Sequence, residues 1–145
     1  MNVAGLCSRP AVSAAASATL SEVAELMRDR NVGAVVITKS PMDRPEAVGI
    51  ITDRDIVRAQ LDHAADLSRL SAEQVMTRNP LELNEQDSVE DAIQRMRARG
   101  VRRAPVIGAS GALVGLVSTD DLLAHVAGEL MSLARVLVKR PGALG

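Results

Sequence analysis

Residues 49–56 read GIITDRDI, and residues 115–122 read GLVSTDDL. Each stretch begins with a glycine, continues as a short apolar run and ends in a charged turn. The second glycine follows the first by 66 residues. A pattern that returns at long spacing is typical of an internal repeat. We therefore expect two copies of one structural unit in this chain of 145 residues, which has room for two small halves with a shared core.

A second match supports the repeat. The segment TLSEVAELMRDRNVGAVVI, from Thr19, aligns with SVEDAIQRMRARGVRRAPV, from Ser88, at an offset of 69. Apolar residues coincide at helical and then at strand spacing. The offset falls to 66 at the later motif because the first copy has a longer connection, which contains Pro41 and Pro45 and suits a surface turn.

Each half is predicted to be a β-α-β-β-α unit. Extended pieces at 11–13 and 81–83 precede helices that begin with the capping patterns Thr19–Glu22 and Ser88–Asp91. The apolar runs 34–38, 47–52, 104–108 and 112–118 have the length and β-branched content of buried strands. A second helix then begins at Thr52 or Ser118. The fold class is therefore α/β (α+β), with two repeats that pack about a pseudo-twofold axis.

The predicted organisation has four parts. Repeat 1 spans 1–62, a linker with a short helix capped by Ser71 spans 63–74, repeat 2 spans 75–127, and a C-terminal helix and tail span 128–145. In the tail, Lys139-Arg140-Pro141-Gly142 is a good helix stop. An apolar stripe on the terminal helix has two interpretations, a dimer interface or a helix folded back over its own core: Val126, Leu130, Leu133 and Leu137.

Composition excludes several classes of function. Apolar residues make up 47% and charged residues 24%, which is ordinary for a globular protein, and no run approaches the roughly 18 apolar residues of a membrane span. With no convincing signal peptide, we expect a cytoplasmic protein. A net charge of −1 and the absence of aromatic residues argue against nucleic acid and require aliphatic side chains to grip any bound base. Cys7, His63 and His125 have no metal-ligand spacing.

The two motif turns have a structural and a functional interpretation. Thr52 with Asp55, and Ser118 with Asp121, can each simply cap a helix. Two copies on buried strands, however, would face a shared cleft. A carboxylate there can accept hydrogen bonds from two ribose hydroxyls, and the N–H groups of the adjacent helix start favour a phosphate. Such a site suits a nucleoside with a phosphate tail.

The repeated motifs, together with VMTRNPLELNEQDSVEDAIQRMRARGVRRAPVI before the second one, resemble the cystathionine-β-synthase (CBS) domain. The chain is similar to a tandem pair of such domains, often called a Bateman module. The resemblance implies adenosine-containing ligands in the cleft between the halves, with Thr52 and Asp55 at one site and Ser118 and Asp121 at the other. It also implies a base-lining role for Arg103, Ala104 and Pro105.

Arginines could supply phosphate contacts. If the two turns face each other, Arg54 and Arg103 would approach from opposite sides, although both could also be solvated surface groups. Because Arg103 belongs to the half that contains Asp121, we expect Asp121→Ala to weaken binding more than Asp55→Ala.

The predicted function is a non-catalytic regulatory module that binds AMP, ADP or ATP and acts on an unidentified partner protein. S-adenosylmethionine and NAD(H) share the adenosine group and remain alternatives, and no cofactor is required. We expect a homodimer, with neither nucleic acid nor membrane as a partner.

A ligand-free structural adaptor is the alternative function. A metal-dependent phosphohydrolase ranks last because no histidine base lies near its candidate metal ligands in sequence: Asp53, Asp55, Asp120 and Asp121.

Overall fold

The computed structural model describes residues 1–40, 44–63 and 66–138, and its elements follow the predicted order twice. The first half contains β1 (Ser13–Ala15), α1 (Leu20–Arg30), β2 (Ala34–Lys39), β3 (Glu46–Thr52) and α2 (Asp53–His63). The connection contains α3 (Ala72–Val75) and β4 (Thr77–Arg78). The second half contains β5 (Leu83–Asn84), α4 (Val89–Arg99), β6 (Arg103–Ile107), β7 (Leu113–Ser118) and α5 (Thr119–Val138). The predicted fold class, two β-α-β-β-α repeats with a helical extension, is confirmed.

The helices begin and end where the sequence provides caps. Thr19 Oγ1 accepts the Glu22 N–H at 3.1 Å, and Glu22 Oε2 accepts the Thr19 N–H at 3.3 Å. Ser88 Oγ caps α4 in the same way, through the Asp91 N–H at 3.0 Å. At its C-terminal end α4 is followed by Gly100, which has a positive φ of 65° that a residue without a side chain adopts readily. The turn after Gly100 leads the chain directly into β6.

Two mixed sheets form, with strand orders β1-β2-β3-β4 and β5-β6-β7. In both halves the first strand is parallel to the second, and the second is antiparallel to the third. The first strand of each half begins two residues later than predicted, at Ser13 and Leu83. The structural equivalence of the halves is visible in two matching backbone hydrogen bonds: Asp53 N–H to Gly33 O at 3.0 Å, and Thr119 N–H to Arg102 O at 2.8 Å.

The two hydrophobic cores exchange segments. Val3, near the N-terminus, is fully buried in the core of the second half, and Ser8 forms two backbone hydrogen bonds with Leu116 of β7, at 2.9 and 3.1 Å. In return, Ala72 and Met76 are buried in the core of the first half, and β4 extends its sheet beside β3. The repeat limits proposed above therefore describe the sequence pattern, whereas each core draws on both repeats and the first core also on part of the proposed linker.

The glycine that opens each motif makes room for the exchanged segment. A Cβ atom on Gly49 would lie 2.7 Å from Met76 Cγ. A Cβ atom on Gly115 would lie 2.7 Å from the Ser8 carbonyl oxygen and 2.8 Å from Cys7 Sγ. All three distances are far inside van der Waals contact. The repeated glycine is therefore a steric requirement of the crossing, and Cys7 packs against the second core at this point.

Helix α5 is continuous from the second motif turn to Val138. Its apolar stripe is exposed, with Leu130 at 66% and Leu137 at 78% of full exposure. The interpretation in which this helix folds back over its own core is therefore wrong for the described part of the helix. The predicted stop at 139–142 and residues 41–43 of the predicted turn lie outside the described residues. In the described ranges, no helix is both long and apolar enough to span a bilayer.

We predict that Gly115→Ala lowers the free energy of unfolding by about 1 to 3 kcal/mol, because the added methyl group collides with the backbone of the crossing segment at Ser8. Gly128→Ala is the matched control, since nothing lies within 4 Å of its added Cβ in the exposed part of α5. That substitution should stabilise the helix by up to about 1 kcal/mol. Urea denaturation of the two variants would contradict the steric account if both shifted the midpoint in the same direction.

Candidate ligand-binding site

The two motif turns are reciprocal helix caps. Asp55 Oδ2 accepts the Thr52 N–H at 2.8 Å, and Thr52 Oγ1 accepts the Asp55 N–H at 3.3 Å. In the second half, Asp121 Oδ2 accepts the Ser118 N–H at 2.9 Å, and Ser118 Oγ accepts the Asp121 N–H at 3.1 Å. Each capping box joins the last residue of a strand to the first turn of a helix, so the turn leaves a fixed edge of its sheet.

The caps use one oxygen of each aspartate. In the part of the chain that the structure describes, the hydrogen bonds of the Asp55 carboxylate go through Oδ2, and the side chain is only half-buried. Oδ1 is therefore available as an acceptor for a ligand. The cap also fixes the orientation of the carboxylate before any ligand arrives.

A cavity of about 240 Å³ lies beside the first motif turn. The first half contributes Ile50, Thr52 and Asp55 to its wall, and the connection together with the second half contributes all the other lining residues: Thr77, Arg78, Asn79, Pro80, Leu81, Arg99, Val101, Arg102 and Arg103. The cavity thus lies between the halves, as a cleft site requires.

Two structural features bring the second half over this turn. Antiparallel pairing of β4 with β3 places Thr77 opposite Ile50, and the chain then turns at Asn79, which has a φ of 51°. The second feature is the end of α4, where the turn at Gly100 brings Val101 and the following arginines to the cavity. Both arise from the exchange of segments and from the cap of α4.

The cavity wall is strongly cationic. It contains four arginines and one carboxylate, that of Asp55. Arg78 Nη2 donates to the Glu73 carbonyl oxygen at 3.0 Å, and Arg99 Nη2 donates to the Asn79 carbonyl oxygen at 2.9 Å. These bonds orient two guanidinium groups without neutralising them. None of the four arginines forms a salt bridge within residues 1–40, 44–63 and 66–138.

A larger polar cavity of about 630 Å³ adjoins the first and shares Arg78, Asn79, Pro80 and Arg99 with it. Its wall also includes Lys39 and Glu82. Burial, and the nearby charge of Glu46, raise the pKa of Glu82 above its ordinary value. The Lys39 ammonium group donates to Glu73 Oε1 at 2.8 Å, and this hydrogen bond lowers the pKa of Glu73.

The structure brings three of the predicted residues together, since Thr52, Asp55 and Arg103 all line the smaller cavity. Arg103 is therefore placed with Asp55, whereas its position in sequence had suggested a site with Asp121. Its guanidinium reaches the first half, because a Cβ atom built on Gly33 would lie 3.7 Å from Arg103 Nη2 and 3.3 Å from Asp53 Oδ2. The position of Arg103 therefore no longer supports the expectation that Asp121→Ala weakens ligand binding more than Asp55→Ala.

The remaining predicted residues lie elsewhere. Arg54 is exposed on α2 and does not line the cavity. Ala104 and Pro105 are buried within β6, behind Arg103, and do not line it either. Ser118 and Asp121 form the equivalent turn of the second half, but there the positions of Arg102 and Arg103 are taken by Gly33 and Ala34.

Sequence reasoning missed the other arginines and the segment 77–81. The segment was visible as part of the VMTRNPL stretch, and Arg102 stood beside a predicted residue. Their common location depends on the pairing of β4 with β3, which no local pattern in the sequence indicates.

The metal-dependent phosphohydrolase considered above required the four motif aspartates to converge. In the described part of the chain, no three His, Cys, Asp or Glu residues converge as a metal site would need.

Comparisons with known proteins point to one family. The family model of the CBS domain matches residues 3–62 and 72–128. The CBS domain protein PAE2072 from Pyrobaculum aerophilum, solved in complex with AMP, is 30% identical, with a TM-score of 0.73 over 88% of this chain and 99% of that one. The CBS domain pair of protein MJ0100, in complex with 5′-methylthioadenosine and S-adenosyl-L-methionine, has a TM-score of 0.76 at 24% identity over 89% of this chain and 98% of that one.

Among curated sequences, the protein MK0525 of Methanopyrus kandleri is 28% identical over 123 residues. The match covers 85% of this chain but 61% of that protein. The chain thus spans about three fifths of the length of this relative.

We predict that Asp55→Ala lowers the stability of the ligand-free protein by about 1 kcal/mol, because the Thr52 N–H loses its acceptor. Asp62→Ala, near the exposed end of the same helix, is the control and should not destabilise, since an acid at a helix C-terminus is unfavourable. Thermal melting without nucleotide compares the two variants. Equal melting temperatures for Asp55→Ala and the wild type would show that the cap contributes nothing.

Proposed function

This chain belongs to the CBS-domain family, and from that premise we propose that it is a non-catalytic regulatory module that binds an adenosine-containing ligand between its two halves. The observation that carries the proposal is the cavity beside the first motif turn, where the half-buried Asp55 carboxylate faces a wall built by the other half. The complex of PAE2072 with AMP, at 30% identity, supports the same class of ligand.

The ribose would be held by the first turn. Asp55 Oδ1 is the acceptor for ribose hydroxyls, and Thr52 stands beside it at the end of β3. Because Oδ2 is already bound to a backbone N–H, the carboxylate does not have to reorient when the ligand binds. Charge-assisted hydrogen bonds of this kind contribute about 1.5 to 3 kcal/mol each.

The adenine ring would lie among aliphatic side chains. The chain has no aromatic residues, and the apolar part of the cavity wall comes from Ile50, Pro80, Leu81 and Val101. Side chains from both halves would thus contact opposite faces of one base. A ligand in this position links the halves, so its binding free energy is available to favour one arrangement of them over another.

The structural adaptor is the second candidate, since both aspartates already have a structural role in the helix caps. In that case the aspartates serve folding alone. The partner protein that would receive the signal and the predicted cytoplasmic location stay predictions.

We further propose a homodimer that forms through α5. Its exposed apolar residues succeed each other at spacings of three, four, three and four, the spacing of an interface between two paired helices: Leu123, Val126, Leu130, Leu133 and Leu137. At the base of the helix this stripe continues into an apolar groove of about 480 Å³, lined by Ile93, Met96 and Leu122 among others. A continuous exposed apolar surface of this kind marks an interaction site.

We predict that Asp55→Asn weakens AMP and ATP binding about tenfold to a hundredfold, whereas Asp121→Asn has the smaller effect. The amide keeps an oxygen for the helix cap but loses the charge that ribose hydroxyls favour. Four arginines line the cavity with Asp55, whereas the repeat places Gly33 and Ala34 where the turn of Asp121 would need Arg102 and Arg103. Calorimetric titration of the wild type and both variants measures the difference.

A larger loss in Asp121→Asn would assign the dominant site to the second half. Full nucleotide binding in both variants would remove the ribose role and leave the adaptor as the better account.

We predict that Leu133→Glu converts the dimer to a monomer at micromolar concentration. The exposed side chain makes no contribution to the core, so the fold should survive the change. Ser132→Glu, which adds the same charge one position outside the stripe, is the control and should remain dimeric. Sedimentation velocity separates the species, and a wild type that is monomeric throughout would refute the dimer.

A further inference from the structure

The adenosine ligands compatible with the motif differ most in their charge. AMP, ADP, ATP and NAD(H) carry negative phosphates, adenosine is neutral, and S-adenosylmethionine has two positive groups against one carboxylate. A neutral cavity would not distinguish them through their common adenosine group. The charge of the cavity wall therefore decides which class the protein can bind.

The wall of the smaller cavity has a clear excess of positive charge. Arg78 and Arg99 are held by backbone carbonyl oxygens, which fix their direction while leaving the charge intact. Arg102 and Arg103 complete the set, and the negative groups nearby are Asp55 in the wall and Asp53 close to Arg103. A cation brought into this wall would face four guanidinium groups, whereas a phosphate would find several pre-oriented donors.

The surroundings also provide room for a phosphate tail. The smaller cavity, at about 240 Å³, is below the range of roughly 300 to 1,000 Å³ that is typical of ligand pockets. The neighbouring cavity of about 630 Å³ shares Arg78 and Arg99 with it. A nucleoside beside Asp55 would therefore have its tail along a wall that remains cationic.

The second motif turn has fewer arginines available to it. Gly33 and Ala34 replace Arg102 and Arg103, and Arg9, which the repeat aligns with Arg78, forms a salt bridge with Glu85. Of the four aligned positions, Arg30, the counterpart of Arg99, is the one that keeps an arginine outside the salt bridges of the described residues. This asymmetry favours the first turn as the anion-selective site.

We propose that the cavity beside Asp55 selects adenosine ligands with phosphate groups, and discriminates against neutral adenosine and against S-adenosylmethionine. This inference rests on the proposed function, since it concerns the same cavity. It adds the chemical class of the ligand, a nucleotide with a negatively charged tail.

The test is a calorimetric series on the full chain with adenosine, S-adenosylmethionine, AMP and ATP, at low and at high salt. We expect AMP and ATP to bind at least about tenfold more tightly than adenosine, with S-adenosylmethionine the weakest. Salt should weaken the binding of AMP and ATP more than that of adenosine, because screening acts on the charged tail.

Different results would refute the proposed function and the charge selection. If no adenosine compound binds, the proposed function itself is refuted. If adenosine or S-adenosylmethionine binds as tightly as AMP, the proposed function stands and the charge selection is refuted.

Arginine variants test which residues select for a phosphate group. Arg102→Gln and Arg103→Gln should each reduce AMP affinity about tenfold while leaving adenosine affinity within twofold. Arg28→Gln is the matched control, because it removes the same charge from the exposed face of α1 and should change neither affinity. A loss of adenosine affinity equal to the loss for AMP would show that the arginines act through packing and would overturn the charge assignment.

Discussion

The crossing of Met76 over Gly49 determines the geometry of the ligand cavity. Because Gly49 has no side chain, Met76 can pack against β3, and β4 can pair with the same strand. That pairing carries residues 77–81 over the first turn of α2, where they form one wall of the cavity. The packing of this segment and the wall of the candidate site therefore depend on one local contact, at a glycine six positions before Asp55 in the same motif.

The motif aspartate shows how one residue can serve both stability and recognition. In the helix cap it offers one oxygen to a backbone N–H, which is the interaction of any good N-terminal cap. The same bond holds the other oxygen in place without further ordering when a ligand binds, so less conformational entropy is lost. A capping box alone therefore does not distinguish an adaptor from a binding module. What distinguishes the two possibilities is the surface opposite the turn. At the first turn, beside Asp55, that surface is rich in arginine.

Much of the fold could be predicted because its signals are local. The caps at Thr19 and Ser88, the helical stripes and the apolar strand runs each depend on residues a few positions apart. The exchange of N-terminal segments could not be predicted in this way, since Ser8 pairs with Leu116 across most of the chain. The same limit applies to the site. Aligning the repeats showed that Arg103 has no equivalent in the first half, but only the fold shows that its side chain faces Asp55.

A short segment after α4 connects the ligand cavity to the surface proposed for dimerisation. Val101 and Arg102 line the cavity on one side and the apolar groove at the base of α5 on the other. A phosphate that drew the Arg102 guanidinium into the cavity would remove that group from the wall of the groove, which the exposed residues Leu123 and Val126 also line. The Thr119 N–H, at the start of α5, donates to the Arg102 carbonyl oxygen at 2.8 Å, so the backbone of this segment is tied to the helix as well. In the proposed dimer, ligand binding and helix pairing would therefore act on the same few residues. This short segment alone would be enough to couple nucleotide affinity to dimerisation.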